Sequence, residues 1–137
     1  MGRYNRVDLK TRGHREEIEL TAIASPGMAI NEVDGSVTFT QGEKTAVHIA
    51  CEDALQGRTV DDAYASGDVA FTLEPDDGDV VAVLLKDGEI VVKGDKLIVD
   101  VDGVWIKTTG TPASEPLEAM EDLSPQGANA LIKAKRI

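Results

Sequence analysis

Residues 64–107 read YASGDVAFTLEPDDGDVVAVLLKDGEIVVKGDKLIVDVDGVWIK. Short β-branched runs (VAFTL, VVAVLL, EIVV, KLIVDV, VWIK) alternate with turn clusters: Ser66-Gly67-Asp68, Glu74 to Asp79, Lys86-Asp87-Gly88, Lys93-Gly94-Asp95 and Asp102-Gly103. Glycine reaches backbone angles that other residues resist, and an Asp beside it hydrogen-bonds the amides of the turn. Gly94 and Asp95 are the clearest such pair. The pattern predicts short strands joined by tight turns. VVAVLL is apolar throughout, which predicts a central strand covered on both faces.

The same texture extends outward. IELTAIA from Ile18, MAINEV, SVTFT and TAVHIACE are strand candidates, separated by Ser25-Pro26-Gly27, Asp34-Gly35 and Gln41 to Lys44. Asp53–Gln56 suggests one short helical turn closed by Gly57. LEAMEDL is a strand or a helical turn, and ALIKAKRI at residues 130–137 alternates like a terminal strand. Turn signals recur about every eight to twelve residues with no sustained helical period, which predicts an all-β fold. We therefore expect a small β-sandwich or β-barrel of short strands with little helix. Residues 1–17 show neither period and read as an extended basic N-terminal arm, leaving residues 18–137 as a single β-rich domain.

Charge sharpens this division. The 137 residues carry a formal charge of -11. Residues 1–15 hold Arg3, Arg6, Lys10, Arg12 and Arg15 against Asp8 alone, and residues 133–137 (KAKRI) are also cationic. Everything between is strongly acidic. Such a body repels nucleic acid and anionic membranes, so neither is an expected partner. An acidic surface with only eight lysines also suits a halophilic setting. No apolar run approaches the about 20 residues of a membrane span, and the N-terminus lacks the apolar core of a secretory signal.

Candidate chemistry is sparse. Cys51 is the sole cysteine, so no intrachain disulfide forms, and one Cys with two His is a poor supply of zinc ligands. Cys51 is expected in the core, with Val47 and Ile49 on one strand face. His48 then reads as a solvent-facing strand residue, and His14 lies in the polar leader. No G-x-S-x-G, P-loop or dinucleotide fingerprint occurs. The cluster of Asp76, Asp77 and Asp79 lacks the EF-hand spacing and reads as a hairpin. No catalytic residue, cofactor or metal is expected. IVVKGDKLIVDVDG resembles the first half of a biotinyl or lipoyl domain, but no lysine stands at the hairpin tip. Trp105 is the one aromatic platform candidate for a carbohydrate or receptor, although core packing is its more ordinary use.

The stretch from Tyr64 to Lys107 also resembles the capsid cement, or head decoration, proteins of tailed bacteriophages and haloarchaeal tailed viruses. Gly67-Asp68, Gly78-Asp79, Ile90, Gly94-Asp95, Leu97 and Asp102-Gly103 carry the likeness. The tail AMEDLSPQGANALIKAKRI and the turn Pro26-Gly27-Met28-Ala29 extend it over roughly residues 25–137. The resemblance implies a structural virion protein, assembled in the host cytoplasm, that binds the outer capsid surface. Its partner would be the major capsid protein, whose subunits it bridges, commonly as a homotrimer at three-fold positions. It implies no enzyme activity. A ligand-binding β module, recognising carbohydrate or a receptor, is the alternative. In the cement reading the arm grips the shell through Arg3, Arg6, Lys10, Arg12 and Arg15, with Tyr4, Val7 and Leu9 as apolar anchors. An arm of about 15 extended residues reaches at most about 50 Å.

Overall fold

A computed structural model describes residues 4–39, 47–108 and 117–137. Among the described residues the chain forms ten strands: β1 (Asp8–Lys10), β2 (His14–Glu19), β3 (Ala29–Asn31), β4 (Val47–Ala50), β5 (Val69–Glu74), β6 (Val80–Leu85), β7 (Lys96–Val99), β8 (Trp105–Lys107), β9 (Leu117–Ala119) and β10 (Ala130–Arg136). The single helical element is a 3-10 turn at Ala54–Gln56, capped by the Asp53 side chain and ended by Gly57 in the left-handed region. The all-β expectation holds, and so does the position of that turn.

The strands form two sheets. One runs β1-β6-β10-β9-β7-β8, and a parallel pairing of β8 back onto β6 closes the last five strands into a barrel. Leu85 opposite Trp105 is the closing pair. The second sheet runs β2-β5-β4-β3. The β5–β6 turn carries the chain from this sheet into the barrel. As VVAVLL predicts, β6 is central: Val81, Ala82, Val83 and Leu85 are fully buried. One apolar cluster joins barrel residues such as Val83, Leu97, Trp105, Leu117 and Ile132 to Ile49 and Leu73 of the second sheet. Each such aliphatic side chain contributes about 1.5–3 kcal/mol by leaving water. Trp105 belongs to this core, which removes it as an exposed aromatic platform. A smaller cluster, with Ile18, Leu20, Ile30 and Tyr64, covers the opposite face of the second sheet.

One turn is built three times. At Ala65–Asp68, Asp76–Asp79 and Val92–Asp95 the third residue is Gly with φ 92°, 85° and 98°. In each, the Asp amide donates to the first residue's carbonyl. The Asp carboxylate accepts from that first residue's amide, at 2.9, 2.8 and 2.9 Å. This is a type II turn, which demands the positive φ at its third position, latched by the aspartate that follows.

Several expectations need correction. SVTFT is irregular over residues 36–39, and Thr40 lies outside the described residues. EIVV provides only the isolated bridge Val91 to Leu123. The proposed boundary between residues 17 and 18 falls inside β2, which pairs with β5 along its whole length. β1 pairs with β6 and adds a sixth strand to the barrel sheet. Val7 is 0% exposed within the main core. The leader is therefore part of the domain and not a free arm. Its one well-buried aliphatic, Val7, is inserted where β6 would otherwise present a bare edge.

Candidate functional site

The residues expected to form an interface take several different places. Arg3 lies outside the described residues. Tyr4 folds back on its own sheet, its hydroxyl donating to Glu121 at 2.6 Å. The Val7 side chain is committed to the core, and its N–H donates to Glu52. Val7 is therefore withdrawn as an anchor for a partner. Leu9 is half-buried on β1, and Arg15 forms an ion pair with Asp8. Arg6, Lys10 and Arg12 have exposed side chains.

Strand pairing brings the two cationic ends of the chain together. Lys10 on β1 and Lys135 on β10 both stand opposite Val80, from its two sides. Residues directly opposite in a ladder point to the same face, so both ammonium groups share one side of the sheet. The same row continues through Glu118 to Lys96, whose Nζ lies 3.1 Å from Glu118. Neither Lys10 nor Lys135 has an ion-pair partner among the described residues. Arg12 lies just beyond this row, where its N–H and that of Gly13 are fixed on Asp79 in the β5–β6 turn. Arg136 reaches the same turn, donating to the Pro75 carbonyl. Lys10 and Lys135 thus stand side by side on an acidic body, flanked by Glu118 and the aspartates of the β5–β6 turn, and no local run of sequence announces the pair because its members are about 125 residues apart.

A second feature is an open groove of about 460 Å³ between the leader and the segment that follows β4. Arg6, Asp8 and Arg15 form one wall, and Cys51, Leu55 and Phe71 contribute to the rest. Cys51 is buried as expected, and burial, reinforced by the neighbouring Glu52 charge, pushes its thiol up to about 12. The groove therefore offers no thiolate nucleophile at neutral pH.

His14 is exposed on β2. His48 is not solvent-facing as its alternation suggests: it is 0% exposed, and its Nδ1 lies 3.2 Å from the Thr72 hydroxyl. The cause is β4's position inside the second sheet, between β5 and β3, where both neighbours carry long side chains over it. No protein-family model and no curated protein matches this chain.

Proposed function

We propose that this protein is a structural module that binds the outer surface of an icosahedral capsid and braces neighbouring subunits. The observation that carries the proposal is the pairing of Lys10 and Lys135 around Val80. It supplies a local pair of lysines without ion-pair partners among the described residues, on a protein of net charge -11. Such a surface selects an acidic partner while the rest of the body is repelled by it. The resemblance of residues 64–107 to head decoration proteins supports the major capsid protein as that partner. Individual surface ion pairs contribute about 0–1 kcal/mol. Attachment as a trimer at three-fold positions adds the effective concentration that weak contacts need. The mode of attachment differs from a free arm: the cations are displayed by a rigid sheet, so binding requires no ordering of the leader.

The test is cosedimentation with preformed shells of the virus that encodes the chain. The wild-type protein should saturate at a fixed number of copies per shell. Lys10→Glu combined with Lys135→Glu should reduce binding about tenfold with an unchanged circular dichroism spectrum. Equal decoration by the double variant would remove the patch from the mechanism, and no decoration by the wild-type protein would remove the function.

The groove beside Arg6, Arg15 and Phe71 favours a second reading, a ligand-binding β module. Its ligand would be a carbohydrate, and binding on a glycan array that Arg15→Ala abolishes would support it.

A further inference from the structure

The geometry points to a divalent transition-metal site on the second sheet, with His48 Nε2 and the carboxylates of Glu16 and Glu32 as ligands. The inference stands independently of the capsid reading.

The argument begins with a proton. The Thr72 hydroxyl donates to the Glu16 backbone carbonyl at 2.6 Å, so its oxygen remains an acceptor. His48 Nδ1, 3.2 Å from that oxygen, is then assigned as the N–H donor. In the neutral ring Nε2 consequently presents a lone pair. That atom is buried and makes no hydrogen bond. It faces Glu74 Oε2 at 3.2 Å, Glu32 Oε2 at 3.4 Å and Glu16 Oε2 at 3.8 Å. A lone pair aimed at three carboxylate oxygens is repulsive unless something positive lies between them.

The distances suit a shared cation. A charge-assisted N–H to carboxylate bond is about 2.7–2.9 Å long, shorter than any of the three. Two ligands on one tetrahedral ion, each about 2.0–2.2 Å from it, stand about 3.4 Å apart. The ligand atoms of Glu16, Glu32 and His48 all lie within 4.8 Å of one another. The carboxylates are only partly buried, with side-chain exposures of 37–49%, so small rotations bring them closer. Among the described residues no Lys or Arg pairs with any of the three. The His48–Thr72–Glu16 chain supplies the outer hydrogen bond that metal-bound imidazoles characteristically have.

The donor set also indicates the kind of ion. An imidazole with carboxylates suits Zn²⁺, Mn²⁺ or Co²⁺, whereas Ca²⁺ and Mg²⁺ prefer oxygen alone. Glu16 comes from β2, His48 from β4, and Glu32 follows β3 directly. One ion would therefore tie β2, β4 and the end of β3 together. The expectation of no metal rested on counts of Cys and His. It overlooked carboxylates that only the strand register assembles.

The test uses the full chain, stripped with chelator, titrated with Zn²⁺ at pH 7.5 and followed by calorimetry and thermal melting. One equivalent should bind with a dissociation constant of micromolar order or tighter, raise the melting temperature, and resist millimolar Mg²⁺. Co²⁺ should give the visible bands of a low-symmetry site. Glu16→Gln and Glu32→Gln, both at partly exposed positions, should keep the fold and each weaken Zn²⁺ binding about tenfold or more. His48→Gln should abolish it. Absence of saturable 1:1 binding, or binding that the Glu16→Gln, Glu32→Gln double variant retains unchanged, would overturn the site. Either result would mean that these side chains pack together without an ion between them.

Discussion

The backbone N–H of Gly13 donates to Oδ2 of Asp79 at 2.8 Å. The same carboxylate takes the N–H of Arg12 at 2.9 Å and of Asp76 at 2.8 Å, and it is 4% exposed. It thereby joins the leader to the turn between β5 and β6. Gly13 is required at this seam because a Cβ there would stand 2.0 Å from the Glu74 carbonyl oxygen.

Asp79→Ala strands three N–H donors. Each buried donor left without a partner costs about 1–3 kcal/mol, less where water can reach it. A net loss of about 3 kcal/mol is expected in urea unfolding, with Asp79→Asn losing less because one acceptor oxygen remains. An unshifted midpoint for the alanine variant would show that the carboxylate does not hold the seam.

Val7 and Arg6 separate an integrated leader from a free one. Val7→Ala should cost about 2 kcal/mol, as expected for shortening a buried aliphatic side chain. Arg6→Ala, at an exposed neighbour, should stay within about 0.5 kcal/mol. Removal of residues 1–15 should lower the melting temperature sharply, since β1 and part of β2 go with it. Truncated protein that melted with the full-length chain would restore the arm.

Cys51 should resist alkylation. Raising the thiol from 9.0 to about 12 leaves about a thousandfold less thiolate at any pH well below both values. At pH 8, iodoacetamide should label native protein at least about a hundredfold more slowly than denatured protein. Comparable rates would place the sulfur in the open part of the groove.

Much of the barrel was legible because its signals are local. A Gly-Asp pair announces a latched turn, and a run such as VVAVLL announces a strand with no wet side. What escaped depends on partners remote in sequence. Val7 sits alone among charged residues, so its burial reflects the edge of β6 and not its own surroundings. His48 alternates like a surface residue, yet β5 and β3 enclose it. The row Lys10–Val80–Lys135 and the face shared by Glu16, Thr72, Glu74 and His48 exist only once the register is set, and a shift of one residue would turn either to the opposite face.

β6 takes partners from both directions along the sequence, β1 far ahead of it and β10 far behind. The barrel stays open until β10 takes its place beside β6. Distant pairings of this kind delay the rate-limiting step, because a large loop must be restrained before any contact rewards it. Folding of this module should accordingly be slow, with a long-lived open precursor whose naked ladder is exposed to stray association.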